Sequence, residues 1–378
     1  MKVLMAAGGT GGHIYPGITI AQTLREQDPD VEILFVGAHG GLEAELVPRA
    51  GFEFTAIPAR YLRRRLSADV LLTAWTAWHG FREAWRIVGR FRPDVAVGTG
   101  GYVSGPVMAA AALRRVPTVI QEQNAYPGLT SRLLGRTARR IALGSEAAKP
   151  YFRRGHRVVV TGNPIRRDIL TRTRDEAVAS LGLDPRRRTV LVFGGSQGGR
   201  SINNAVAEAA PVLLERGDVQ IVHQTGKAGF ADVLDKAGGA KLRRGGEWAS
   251  MGHWHITPFI HDMPAAYAAA DVVVCRAGAI TLAELTARGL PAVLVPYPYA
   301  AEGHQDANAA ELERAGAAVV VPDQRLTGTG LAETVLALLD DDARRQRMAG
   351  AARRLGRPDA AVRIAQLVRE AARPFGAR

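Results

Sequence analysis

Short apolar runs alternate along the chain with longer stretches in which apolar residues recur every three or four positions. The runs at 2–7, 31–36, 95–98, 117–121, 140–143 and 157–160 read as strands, and the stretches at 16–27 and 128–135 read as helices between them. Thr161-Gly162-Asn163-Pro164 breaks this rhythm, and a second series follows at 189–193, 219–223, 254–257, 271–275, 291–295 and 318–321. A βαβ rhythm that runs twice predicts an α/β protein of two doubly wound, Rossmann-like domains facing a cleft, with a boundary near 162–165. We take 1–162 as the first domain, 163–355 as the second, and 356–378 as a C-terminal helix able to pack back on the first. A chain of 378 residues suits two domains with separate cores.

Three apolar runs end in glycine-rich turns: Gly8-Gly9-Thr10-Gly11-Gly12-His13, Gly98-Thr99-Gly100-Gly101-Tyr102, and Gly194-Gly195-Ser196-Gln197-Gly198-Gly199. Each predicts a strand, a turn and a helix start. Glycine lets a ligand approach the backbone amides, and a helix N-terminus favours anions, so these turns predict phosphate-bearing ligands. Ligands of open parallel sheets sit at the carboxyl ends of strands, where all three turns fall, which makes the cleft the expected active site.

Hydrophobic residues make up 47% and charged residues 22%, the balance of a soluble globular protein, and no run of eighteen apolar residues occurs. Cys275 is the single cysteine, so an internal disulfide is excluded, and Met1-Lys2-Val3 opens directly into strand-like sequence; a cytoplasmic location is expected. Net charge is +13, and residues 1–161 hold 21 Lys and Arg against 12 Asp and Glu. That excess suits an anionic partner such as nucleic acid or a lipid surface.

A dinucleotide site would need an acid after the second strand, but Val36 is followed by Gly37-Ala38-His39-Gly40. An ATPase P-loop is absent, since Gly226-Lys227 is followed by Ala228 and lacks the earlier glycine. A nucleotide-sugar site fits better. Cys275-Arg276-Ala277-Gly278-Ala279-Ile280-Thr281-Leu282-Ala283-Glu284 runs from strand through turn into helix, bringing amides and Arg276 to a diphosphate and Glu284 to the ribose hydroxyls.

Eight segments in order then resemble one family: Gly8 to His13, Gly100-Gly-Tyr-Val-Ser-Gly-Pro106, Glu122-Gln-Asn124, Gly162-Asn-Pro-Ile-Arg166, Gly194 to Gly198, Pro258-Phe-Ile260, Cys275 to Ala279, and His304-Gln305-Asp-Ala-Asn308. They are similar to the motifs of the bacterial N-acetylglucosaminyltransferases that form lipid II in peptidoglycan synthesis. The resemblance implies a GT-B fold and transfer of N-acetylglucosamine from UDP-N-acetylglucosamine, with inversion. The acceptor would be the 4-hydroxyl of undecaprenyl-diphospho-N-acetylmuramoyl-pentapeptide.

Carried onto this chain, the resemblance sets Thr10, Gly11, Gly12 and Asn124 near the donor, with Arg166 and Ser196 at the nucleotide or its phosphates. Main-chain groups of Ile260 would read uracil, and Arg276 with Ala279, Ile280, Thr281, Leu282, Ala283 and Glu284 would hold diphosphate and ribose. Gln305 would bond sugar hydroxyls, while Gly100, Gly101, Tyr102 and Ser104 would receive the acceptor's diphosphate. The sequence departs from the family at His304, where a glutamine is usual, in the loop 297–303, and at Ala277, where serine is common.

The acceptor hydroxyl must lose a proton as UDP departs. His13 is the candidate base, with Glu122 its rival, and orienting the acceptor is the alternative role for His13. Arg276 and a helix N-terminus could meet the leaving charge, so no metal and no other cofactor is expected. Asp28-Pro-Asp30 and Asp340-Asp-Asp342 are expected to be solvated.

Residues 60–92 hold Arg60, Arg63, Arg64, Arg65, Arg82, Arg86, Arg90 and Arg92 against Asp69 and Glu83. On a helix, Leu71, Trp75, Trp78 and Trp85 share one arc with Arg82 and Arg86 at its edge, which predicts peripheral binding to an anionic membrane surface, here the cytoplasmic face of the cell (inner) membrane. A nucleic-acid partner is disfavoured because no nucleic-acid-binding motif occurs. A nonhydrolysing UDP-N-acetylglucosamine epimerase is the closest enzyme alternative.

Overall fold

The computed structural model describes residues 1–59, 69–153, 155–195, 197–238, 241–242 and 248–373. It divides into unit 1, Met1–Ile165 with Arg357–Arg378, and unit 2, Arg166–Gly356.

Among the described residues unit 1 is built on seven parallel strands: β1 (Lys2–Ala6), β2 (Glu32–Ala38), β3 (Glu53–Ile57), β4 (Val95–Gly98), β5 (Thr118–Glu122), β6 (Arg140–Leu143) and β7 (Val158–Val160). Their order is β3-β2-β1-β4-β5-β6-β7, so the direction of winding reverses between β1 and β4, where the first two glycine turns emerge. Strand β3 has no counterpart in the sequence reading. It is an edge strand with Glu53 exposed and only Ile57 fully buried, so it carries no apolar run.

Helices α1 (Gly11–Gln27), α2 (Glu43–Arg49), α3 (Asp69–Phe91), α4 (Ser104–Leu113) and α5 (Leu129–Leu134) cover the sheet. One face packs α1 on β1, β2, β4 and β5 together with Ile364, Ala365, Leu367, Val368 and Ala371, which belong to the C-terminal helix Ala360–Ala372. The other packs α3 and α4 through Ala84, Val88, Val107, Met108 and Ala111.

Among the described residues unit 2 has eight strands: β8 (Arg188–Phe193), β9 (Val219–Gln224), β10 (Lys241–Leu242), β11 (Ala249–Met251), β12 (Trp254–Thr257), β13 (Val272–Cys275), β14 (Ala292–Leu294) and β15 (Ala318–Val320). The order is β10-β11-β12-β9-β8-β13-β14-β15, parallel except for the β10–β11 and β11–β12 pairings. The segment from 245 to 254, which carries no readable motif, thus contains a strand. Gly252 turns the β11–β12 hairpin at φ +55°, and Trp254 is fully buried in the unit 2 core. Helices α6 (Asp168–Thr171), α7 (Arg174–Leu181), α8 (Arg200–Glu215), α9 (Phe230–Lys236), α10 (Met263–Ala269), α11 (Ala279–Arg288), α12 (His304–Arg314), α13 (Gly328–Asp340) and α14 (Asp342–Leu355) complete it, and the C-terminal helix of unit 1 is α15.

Asp340, Asp341 and Asp342 are exposed to solvent, as expected, and make surface ion pairs and a cap. Asp340 pairs with Arg216, Asp342 with Arg188 and Arg345, and Asp341 caps α14 through the amide of Arg344 at 2.7 Å. Cys275 lies buried at the end of β13, and burial pushes its thiol pKa up.

Candidate active site

In unit 1 the chain leaves β1 through Ala7-Gly8-Gly9-Thr10 and enters α1, whose first turn has no acidic residue and no side-chain cap. Thr10 and Gly12 are exposed, Gly11 and His13 half-buried. The loop's glycines answer in part to the protein itself. Glu43, at the start of α2, is completely buried and accepts from Ala38 N at 2.8 Å and from Gly9 N at 3.2 Å. A Cβ on Gly8 would overlap that carboxylate, and the Gly9 amide is thereby turned inward, away from any ligand.

The second turn packs on the first. Gly101, at φ +81°, carries no Cβ because one would overlap Gly8 O, and a Cβ on Gly100 would lie 2.6 Å from His13 Nδ1. Close approach of loop to loop, rather than of ligand to loop, therefore fixes these two glycines. Ser104 is buried, its hydroxyl directed at Ala6 O and Gly100 O and its amide at Gly101 O, so both polar groups serve the fold and not a diphosphate. The Tyr102 ring lies against Gly9, and burial followed by the charge of Glu43 raises its pKa.

His13 presents Nδ1 to Thr99 O at 3.1 Å and to Gln123 Oε1 at 3.2 Å, while Thr99 Oγ1 donates to His13 O at 2.7 Å. Both neighbours of Nδ1 are acceptors. The neutral ring thus carries its proton on Nδ1 and a lone pair on Nε2, the form a general base needs. Glu122 is buried, with Oε1 accepting from the amide of Asn124 at 3.0 Å and from its Nδ2 at 3.2 Å. It holds Asn124 in place, which is an internal role.

In unit 2 the third turn borders a cavity of about 760 Å³, lined by Gly194, Gly195, Gly198 and Gly199, by Arg276, Gly278 and Thr281 at the start of α11, and by Tyr297, Tyr299, Gln305 and Asp323. Ser196 lies outside the described residues. Gly278 precedes α11 without a side-chain cap, and no acid occupies the first turn, so the helix start is suited to an anion.

Arg276 is 8% exposed and tightly held. Nη1 reaches Asp323 Oδ1 at 2.5 Å and Val295 O and Pro296 O at 3.2 Å, Nη2 reaches Ser201 Oγ at 2.9 Å, and the guanidinium lies over the Tyr297 ring. Gln305 Oε1 accepts from the amides of Ala277 at 3.1 Å and Tyr297 at 2.9 Å, which leaves its Nε2 as the donor for a sugar. Ile260 N donates to Gln224 Oε1 at 2.9 Å, so the carbonyl of Ile260 is the main-chain group that can meet a base.

Glu284 lies half-buried on α11, with Tyr267 Oη donating to Oε2 at 2.9 Å. Burial raises its pKa to about 7, partly offset by the charge of Arg166 and the Tyr267 bond. Ala279, Ile280 and Ala283 are half-buried nearby, whereas the Leu282 side chain faces the core. Glu43, Gln123, Gln224 and Asp323 are the residues that sequence reasoning did not single out.

On α3, Trp75 and Trp78 are 60% and 59% exposed, and Arg82 and Arg86 are exposed. Trp85 departs from the expected exposed arc: it is half-buried against the unit 1 core, with Arg114 over its ring at 4.2 Å. The arginines at 60, 63, 64 and 65 and the side chain of Leu71 lie outside the described residues. Among the described residues no helix is long and apolar enough to cross a membrane.

Residues 3–143 match the glycosyltransferase family 28 N-terminal domain, and residues 189–364 match its C-terminal domain. The chain is 42% identical over 375 residues to the UDP-N-acetylglucosamine--N-acetylmuramyl-(pentapeptide) pyrophosphoryl-undecaprenol N-acetylglucosamine transferase of Halothermothrix orenii, covering 99% of this chain and 100% of that one. It is 43% identical over 370 residues to the protein of the same name from Desulforamulus reducens, covering 97% and 98%. The crystal structure of Acinetobacter baumannii MurG is 26% identical, with a TM-score of 0.73 and coverage of 98% of this chain and 99% of that one. Both units are thus the doubly wound α/β units of a GT-B glycosyltransferase. Similarity of this extent over whole chains shows that the protein belongs to the family of glycosyltransferases, family 28, that carry the name UDP-N-acetylglucosamine--N-acetylmuramyl-(pentapeptide) pyrophosphoryl-undecaprenol N-acetylglucosamine transferase.

Proposed function

We propose that this protein transfers N-acetylglucosamine from UDP-N-acetylglucosamine to the 4-hydroxyl of N-acetylmuramoyl-pentapeptide on undecaprenyl diphosphate, forming lipid II for peptidoglycan. The observation that carries the reading is the 42–43% identity with relatives of that name over 97–99% of the chain. In the proposed step His13 Nε2 takes the hydroxyl proton, the freed oxygen attacks C1 of the donor sugar, and the C1–O bond to UDP breaks. A single displacement of this kind inverts the anomeric carbon. Tautomer geometry supports His13 over Glu122, whose carboxylate is engaged by Asn124.

The nucleotide is assigned to unit 2: uracil to Ile260, ribose to Glu284, diphosphate to the α11 start and the Gly194–Gly199 turn with Arg166, and sugar hydroxyls to Gln305. Departing charge is then met by amides and fixed arginines in place of a metal. The acceptor is assigned to unit 1, and Thr10, Gly11, Gly12 and Asn124 of that unit are assigned to the donor. Peripheral binding at the cytoplasmic face of the membrane is assigned to Trp75, Trp78, Arg82 and Arg86, since exposed aromatics beside cations suit an anionic interface.

The test is transfer of radiolabelled sugar from UDP-N-acetylglucosamine to a lipid-diphosphoryl-muramoyl acceptor, with UDP-N-acetylgalactosamine and UDP-glucose as competing donors and with a chelator present. Transfer should require the acceptor, favour the N-acetylglucosamine donor and survive chelation. Conversion of UDP-N-acetylglucosamine alone to its manno isomer would instead identify an epimerase.

A further inference from the structure

Behind His13 lies a chain of buried side-chain amides that substrate contact does not explain. Gln121, Gln123 and Asn163 are 0%, 4% and 6% exposed. Their orientations are fixed one by the next. Asn163 Nδ2 donates to Gln123 O at 3.0 Å, a main-chain oxygen that can only accept. Asn163 Oδ1 therefore faces Gln121, whose Nε2 donates to it at 2.9 Å. Gln121 Oε1 in turn accepts from Gln123 Nε2, which also donates to Thr99 O. What remains of the Gln123 amide is Oε1, and this is the atom 3.2 Å from His13 Nδ1.

We propose that Gln123 is a positioning residue that fixes the neutral tautomer of His13, Nδ1 protonated and Nε2 basic, with Gln121 and Asn163 holding its amide the right way round. The proposal rests on His13 serving as the base. The hydrogen-bond partner of one imidazole nitrogen decides which nitrogen keeps the proton. Thr99 O, 3.1 Å from Nδ1, favours the same proton position, but a reversed Gln123 amide would set an N–H against Nδ1, and a ring that answered it would carry its proton on Nε2, which then could not receive the acceptor's proton. Gly100 completes the arrangement by leaving room for the ring.

The test compares Gln123→Met, of similar length but without an acceptor, with Gln123→Glu, which keeps an oxygen facing Nδ1. In histidine labelled with 15N, the wild-type His13 resonances should be those of a ring protonated at Nδ1. Gln123→Met should shift them towards a mixture and lower kcat about tenfold to a hundredfold with donor KM within about twofold, the scale of losing a group that orients a functional histidine. Gln123→Glu, with its buried acid protonated on the oxygen that faces Thr99 O and Gln121 Oε1, should restore the wild-type pattern and most of the turnover. Unchanged His13 resonances in a folded Gln123→Met, or Gln123→Glu behaving like Gln123→Met, would overturn the proposal. Should His13→Ala keep full turnover, the reading of His13 as base fails separately, because the resonances report the tautomer without reference to activity.

Discussion

Glu284 predicts an opposition between stability and donor binding. Its pKa rises from the ordinary 4.5 to about 7 because burial disfavours the charged carboxylate. A folded-state pKa above the unfolded one gives stability that is present in full below about pH 4.5 and is lost as pH rises through about 7. At about 1.4 kcal/mol for each pH unit, this span corresponds to about 3 kcal/mol, an upper bound because water and a ribose hydroxyl both relieve the burial. Glu284→Gln keeps the shape and removes the charge. In denaturant unfolding of unit 2 without nucleotide, the variant and wild type should differ little below about pH 4.5, and the variant should gain on wild type up to pH 8. Donor affinity by calorimetry should move the other way. Losing charge-assisted bonds to the ribose costs about 1.5–3 kcal/mol, roughly a 10- to 150-fold weakening at pH 8. A stability difference that stays constant between pH 4 and pH 8 would refute the burial argument, and an unchanged affinity would remove Glu284 from the ribose.

His13→Ala should lower turnover by about 10²–10⁴-fold and leave donor affinity nearly unchanged, measured by steady-state kinetics beside calorimetry. Gly100→Ala sets a methyl 2.6 Å from His13 Nδ1 at a φ of +103°, so the folded variant should lose turnover more than donor binding. Trp75→Ser with Trp78→Ser should reduce sedimentation with anionic vesicles, leave transfer to a short-chain soluble acceptor, and hardly change thermal stability, because both rings are more than half exposed. Loss of folding in that double variant would return the two tryptophans to the core.

The interior strands were legible because a parallel sheet covered on both faces needs unbroken apolar runs, as at Val190–Phe193 and Val272–Cys275. Edge strand β3 was not, since one side of it meets solvent, and neither was β11, a three-residue strand in a short antiparallel hairpin with no apolar run of its own. The glycine turns stood out at once, yet their reasons did not: Gly8 and Gly101 are glycine because Glu43 and Gly8 O occupy the space a Cβ would need. Glu43, Gln123, Gln224 and Asp323 are ordinary polar residues locally. Their partners come from other strands and turns, and only topology sets Gly9 beside Glu43 or Ile260 beside Gln224. Trp85 fell on the expected helical arc, but the arc is wider than the exposed face.

Helix α15 belongs to unit 1 although all of unit 2 is translated before it. Its Ile364, Leu367 and Val368 bury apolar surface worth about 5–9 kcal/mol against the face that α1 covers, a large share of the stability of one domain. At about 5–20 residues per second, the ribosome needs roughly 10–40 s to make residues 166–356 after unit 1's sheet is complete. Through that interval the α1 side of the nascent sheet lacks the part of its cover that α15 supplies. Unit 2 is thus complete in the chain before unit 1 is, the reverse of the order in which they begin, and a released chain ending at residue 356 should show a first unit more sensitive to protease than in the full protein.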